Sequence, residues 1–102
     1  MSDRFEDFVK EIEDAATPEE REELEATRAR FRVGTRLLQN RLSVGLTQKE
    51  LASASGVDQA DISRIERGET NATTATLDSL ARPLGMTLGF VAVADSAEAI
   101  SA

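Results

Sequence analysis

The chain has 102 residues, 19 of them acidic and 12 basic for a net charge of −7, with four phenylalanines as its aromatics and neither cysteine nor histidine. That length predicts one small domain with a modest core. Without Cys or His there is no disulfide staple, thiolate nucleophile, Cys/His zinc site or imidazole base, so no metal or cofactor is expected and most small-enzyme chemistries are excluded. Too few aromatics are present for a base-stacking platform. No apolar run approaches a membrane span, and Met1-Ser2-Asp3-Arg4 lacks the order of a signal peptide, so a cytoplasmic protein with no membrane partner is expected.

The excess acidity is local. Residues 1–30 hold 11 acids and 5 bases, residues 31–70 hold 5 and 6, and residues 71–102 hold 3 and 1. The run from Glu19 to Glu25 reads either as a solvated helix face or as a surface offered to a basic partner.

In chain order, Phe5, Phe8, Val9 and Ile12 fall at i, i+3, i+4 and i+7, one apolar stripe on a first helix that requires a cover. Pro18 interrupts it. Thr17 as N-cap, Pro18 at N1 and Glu20 at N3 form a capping box for a long second helix reaching Leu42. Its expected stripe is Leu24, Thr27, Phe31, Gly34, Leu38 and Leu42, the first half projecting and the second joining the core. After the turn Ser43–Leu46, Thr47 and Glu50 form a second capping box. That helix is stopped by Gly56, and a following one runs from an Asp58 cap to Arg67 and stops at Gly68. Two helices of about nine residues around a turn of about three make a helix-turn-helix.

Thr73 or Thr74 caps a further helix carrying Leu77, Leu80, Ala81 and Leu84, stopped by Gly85. Residues 86–94 have no helical period, are apolar and β-branched, and read as a strand. A lone strand leaves its backbone groups unpaired, so the expected partner is the same strand of a second copy, with Leu88, Phe90, Val91 and Val93 in the homodimer contact. Residues 95–102 read as a flexible tail.

The segment Gly45-Leu46-Thr47-Gln48-Lys49-Glu50-Leu51-Ala52, through Ser55-Gly56-Val57 to Ile62-Ser63-Arg64-Ile65-Glu66-Arg67-Gly68, resembles the Xre/Cro-type helix-turn-helix family of bacterial and phage regulators. The likeness covers roughly residues 31–85. Pro83 and Ala72 depart from the family pattern, and Pro83 threatens the last turn of its helix. The fold class implied is mainly α: a lambda-repressor-like bundle, preceded by an acidic helical extension over 1–30 and followed by the dimerising strand.

Leu51, Ala52, Val57, Ile62 and Ile65 are expected in the core; in the helix after Gly56, Ile62 and Ile65 define the buried side, with Ala60, Ser63, Arg64 and Arg67 opposite and Gln59 on the flank. Gln59 suits adenine, Arg64 guanine and Ala60 a thymine methyl. The resemblance adds Gln48 as a phosphate ligand beside a helix N-terminus, with Thr47 a cap first and a ligand second, and Asp58 at the start of the reading helix. Glu66 lies toward the core side and needs a cation; the family likeness points to Arg41. A dimer would set two reading helices in successive major grooves of a palindromic operator.

Three functions compete. A stand-alone transcriptional repressor leaves residues 1–30 unemployed. The whole layout resembles the HigA-type antitoxins, which implies a basic, RNA-cleaving toxin as partner, held through Phe5, Phe8, Val9, Ile12 and Leu24, and repression of the protein's own operon. An enzyme would need paired carboxylates or a Ser/Lys pair in a pocket, and Lys10 and Lys49 lie in no nucleophile motif.

Overall fold

The computed structural model describes residues 3–93. Among them run α1 (Asp3–Ala15), α2 (Pro18–Val44), α3 (Gln48–Ser55), α4 (Gln59–Glu66) and α5 (Thr74–Ala81), the last extended by a 3₁₀ turn over Arg82–Leu84. No helix among the described residues is long and apolar enough to cross a membrane.

The helix starts follow local chemistry. At α2 the Thr17 hydroxyl accepts from the Glu20 N–H at 3.2 Å while the Glu20 carboxylate accepts from the Thr17 N–H at 2.9 Å, so two otherwise orphaned donors are satisfied reciprocally. Thr47 and Glu50 repeat the arrangement at α3, with distances of 3.0 and 2.9 Å. Of the two candidate caps for α5, Thr73 serves, accepting from the Thr76 N–H at 3.1 Å. Asp58 departs from expectation: it occupies the N-cap position of α4, but its side chain makes no capping bond. Its backbone carbonyl alone accepts, from Asp61 and Ile62. At the other end of α5, Pro83 has no N–H to continue the helix, and regular α geometry stops at Ala81.

Leu37, Leu51, Ile62, Ile65, Leu80 and Leu84 form the core, with Leu46, Ala52, Val57 and Ala72 packed against it. The core-facing side of α2 differs from the expected stripe. Gly34, Leu37 and Arg41 are buried, whereas Phe31 and Leu42 are exposed and Leu24, Thr27 and Leu38 half-buried. The period is helical and Gly34 is buried as expected, but the face is rotated from Leu38 and Leu42 toward Leu37 and Arg41, the second of which hydropathy does not count as apolar. Gly34 is buried because α4 lies directly against its Cα, and Arg41 because a carboxylate awaits it. The helix itself runs unbroken through the expected boundary at residue 30.

The cover expected for the first helix is not supplied by the described residues. Phe5, Phe8 and Ile12 are 71%, 59% and 49% exposed, and Val9 is half-buried. Polar links join α1 to α2 instead: Arg28 meets Glu13 at 2.7 Å, and Arg21 Nε donates to the Glu13 carbonyl at 3.1 Å.

No strand occurs among the described residues, where Leu88, Phe90, Val91 and Val93 are exposed, and residue 94 of the expected strand lies outside them. A β-ladder requires a second extended segment, and the rest of the described chain is helix and turn. The tail expected over 95–102 lies outside the described residues.

Candidate nucleic-acid interface

The helix-turn-helix is built from α3, the turn 56–58 and α4. Gly56 makes the turn in the left-handed region at φ 78°, and its N–H closes α3 on the Ala52 carbonyl. The Ser55 hydroxyl accepts from the Val57 N–H at 3.1 Å, which sets the direction in which the chain enters α4. Ile62 and Ile65 are then driven into the core, so the opposite face of α4 is left to solvent.

That outer face carries the residues expected there. Gln59, Ala60, Arg64 and Arg67 are exposed and Ser63 is half-buried. Its orientation is held from behind by a buried polar knot. Arg41 Nε and Nη2 donate to the two carboxylate oxygens of Glu66 at 2.7 and 2.9 Å, and Nη1 donates to the Leu46 carbonyl at 2.9 Å. The expected pair is therefore present, bidentate and nearly solvent-free, with side chains 9% and 4% exposed. Its hydrogen bonds to Glu66 raise the Arg41 pKa further, against burial, which lowers it.

Gln48 belongs to the same knot, its amide donating to Glu66 Oε1 at 3.0 Å. One residue thereby joins the end of α2, the start of α3 and the end of α4. The geometry leaves the second amide hydrogen of Gln48 for another acceptor. The Thr47 oxygen is occupied by the cap, with its hydroxyl hydrogen still able to donate.

A second device brings α2 against α4. A Cβ on Gly34 would stand 2.2 Å from the Ile65 carbonyl oxygen and 2.9 Å from that of Glu66. Glycine thus permits backbone-to-helix contact at the C-terminal end of α4. Arg30 fastens the loop beyond it, Nε donating to the Gly68 carbonyl at 3.2 Å, and the Phe31 ring lies over Gly68.

Two residues on this face were not anticipated. Asp61, one turn before Arg64, pairs with it, and Arg67 donates through Nε and Nη2 to both carboxylate oxygens of Glu69 at 2.8 and 3.1 Å. Arg67 also donates to the Ser63 hydroxyl. The Arg67 bonds hold the Glu69 carboxyl below the usual range, and Glu69 in turn raises Arg67. The Asp-x-x-Arg spacing of the first pair was the available signal.

A family model described as helix-turn-helix matches residues 37–91. The chain is 41% identical over 70 residues, 69% of its length and 71% of the relative's, to a protein of Haemophilus influenzae named an uncharacterized HTH-type transcriptional regulator. It is 43% identical over 54 residues, 53% of its length and 70% of the relative's, to one of the same description from Sinorhizobium fredii. No solved structure gives a significant match. With its capped α3, left-handed Gly56 and core-anchored α4 aligned on that family, the chain belongs to the Xre-type helix-turn-helix proteins.

Proposed function

We propose that this chain is a transcriptional regulator that binds double-stranded operator DNA by laying α4 in the major groove. The observation that carries the reading is the outer face of α4: Gln59, Ala60, Ser63, Arg64 and Arg67 stand together on one side, while Ile62, Ile65 and the Arg41–Glu66 pair fix the other. Gln59 reads adenine, Arg64 guanine, and Ala60 meets a thymine methyl. Gln48 and Thr47 offer their remaining hydrogens to a phosphate beside the N-terminus of α3, and Asp58 stands at the N-cap position of α4 with its side chain uncommitted to the cap. Arg32, Arg36 and Lys49 add positive charge, and with so few phosphate contacts the salt dependence of binding is shallow.

The working unit on this reading is a homodimer on a palindromic site, the two α4 helices about 34 Å apart. Its support is the exposed apolar run Leu88, Phe90, Val91 and Val93. Met86 and Leu88 also border an open groove of about 300 Å³ with Val33, Leu37, Leu77 and Leu84. Strand pairing between copies would satisfy the backbone groups of the run. The test is a gel shift with DNA upstream of the gene: Arg64→Ala and Gln59→Ala should each weaken binding by about 1–3 kcal/mol and relax base preference at one position. Unchanged binding by both variants would dismiss α4 as the reading element.

A second reading makes the same protein the antitoxin of a toxin–antitoxin pair, repressing its own operon and neutralising an RNA-cleaving toxin. It is favoured by the uncovered Phe5, Phe8 and Ile12 on α1, with Val9 and Leu24 half-buried nearby in sequence, in the segment that holds most of the acidity. A ribonuclease must attract RNA and so presents basic surface that such a helix complements. Co-purification with the product of a neighbouring gene, lost on Phe5→Glu with Phe8→Glu, tests it; retention by that variant would remove α1 as the toxin-binding surface, and no co-purification with the wild type would leave a regulator without a toxin.

A further inference from the structure

The DNA-facing arginines are not free in this chain. Arg64 is paired with Asp61 from the preceding turn of α4, and Arg67 is held by both oxygens of Glu69 at 2.8 and 3.1 Å. All four side chains are about half exposed, so the pairs sit on the surface where DNA would arrive. Glu69 occupies the Nε and Nη2 donors of Arg67, and Asp61 engages Nη2 of Arg64, so each carboxylate takes at least one of the donors with which its arginine would read guanine or grip a phosphate.

We propose that Asp61 and Glu69 are specificity-determining residues that act as intramolecular competitors for Arg64 and Arg67. The inference rests on the reading of α4 as the DNA-reading helix. Non-cognate DNA offers these arginines only phosphates, each of which must displace a carboxylate that then faces the negatively charged backbone. Net gain from that exchange is small, because one anion replaces another. A cognate site adds an in-plane, two-acceptor guanine edge in a fixed position, together with the other base contacts of the helix, and these repay the exchange. The acids thus weaken indiscriminate binding more than operator binding. The comparison with the acidic N-terminal segment is instructive: Glu22 and Glu23 lie on the first half of α2, outside the helix-turn-helix, and hold no arginine of α4.

The experiment compares the full-length wild type with the isosteric double variant Asp61→Asn, Glu69→Gln, by fluorescence anisotropy on two duplexes over a salt series. One duplex carries the DNA upstream of the gene and the other its scrambled sequence. A charge-matched control carries Glu22→Gln and Glu23→Gln. The double variant should bind scrambled DNA roughly tenfold more tightly, with a salt slope steeper by up to about two, while affinity for the upstream duplex rises less than about threefold. The control should change scrambled binding by less than about twofold. Equal tightening on both duplexes, or tightening by the control to the same extent, overturns the proposal by reducing the effect to net charge. Loss of upstream binding in Asp61→Asn comparable to that in Arg64→Ala overturns it too, since Asp61 would then be a base contact. A wild type that prefers neither duplex removes the DNA-reading assignment itself, and the competitor role with it.

Discussion

Gly34 offers the sharpest test of how α4 is positioned, because two effects of opposite sign meet there. Gly34→Ala in mid-helix should stabilise by about 0.8–1.0 kcal/mol on helix propensity alone. Against this, the new methyl would meet the Ile65 carbonyl oxygen at 2.2 Å, where ordinary contact begins near 3.4 Å. Backbone oxygens cannot swing aside as a side-chain tip does, so α2 and the end of α4 must part by roughly the difference. Such a shift also strains the Arg41–Glu66 bonds of 2.7 and 2.9 Å, formed by the next residue of α4. Overpacking of this kind costs about 1–3 kcal/mol, with rigid backbone at the upper end, which leaves a net loss of about 1–2 kcal/mol. For a domain of this size the melting temperature should fall by about 5–15 °C.

Far-UV circular dichroism is the assay, since the chain has neither tryptophan nor tyrosine, and all samples should share one chain concentration. The exposed neighbouring variant Thr35→Ala serves as control and should gain a few tenths of a kcal/mol. A Gly34→Ala protein that melts at or above the wild type would refute the close approach of α2 to α4.

Glu66→Ala strands the buried guanidinium of Arg41 and should cost about 3–5 kcal/mol by urea titration, whereas Arg41→Met with Glu66→Leu should recover most of it; a loss below about 1 kcal/mol would mean the pair behaves as a surface one. Leu51 is fully buried, and Leu51→Ala should cost about 2–5 kcal/mol in the same titration. The Thr47 N–H holds the Glu50 carboxyl below its ordinary 4.5, as the Thr17 N–H does for Glu20. With folded values depressed, their stabilisation is complete above that ordinary value and is lost as pH falls through the folded one. Melting temperature should therefore drop on acidification below about pH 4.5, and more shallowly in a Glu20→Gln, Glu50→Gln variant. Phe90→Glu should convert a dimer to monomer in sedimentation at micromolar concentration; an unaltered sedimentation coefficient would show that residues 86–93 do not hold the copies together.

Features decided by a few neighbouring residues were legible without coordinates. Both capping boxes, the stops at Gly56 and Gly85 and the early end of α5 before Pro83 each follow from local hydrogen-bond supply and φ preference, while α2 runs on to Val44, past the expected end at Leu42. For the Arg41–Glu66 pair, the place of Glu66 on the core side of its helix showed only that it needs a cation, and the family likeness supplied Arg41. What escaped was decided by the other partner in a contact. On α2 the expected stripe held Gly34 but took Leu38 and Leu42 where Leu37 and Arg41 are buried, because a charged Arg41 carries no hydropathy signal. Asp58 was expected to cap α4 on composition, yet the backbone carbonyl alone takes the first bonds and its carboxylate does not. The strand expected over 86–94 depends on a second extended segment, which a single sequence cannot supply.

The net charge of −7 takes on a different meaning once the ion pairs are located. Partition by segment separates the acidic residues 1–30 from the nearly neutral helix-turn-helix, which would suggest that acids merely stay away from the reading helix. The pairs Asp61–Arg64 and Arg67–Glu69 contradict so simple a division, since both anions stand beside the arginines that would meet DNA. A reading face whose cations are already paired has little attraction for a featureless polyanion, so its binding must draw on base contacts more than on counterion release. Acidity over residues 1–30 and the acids paired beside α4 therefore act at different ranges: the first is a diffuse field that salt screens within about 8–10 Å, the second a contact competition at the arginines themselves. Measuring how each responds to ionic strength separates them, because only the contact acids should change the ratio of operator to scrambled binding.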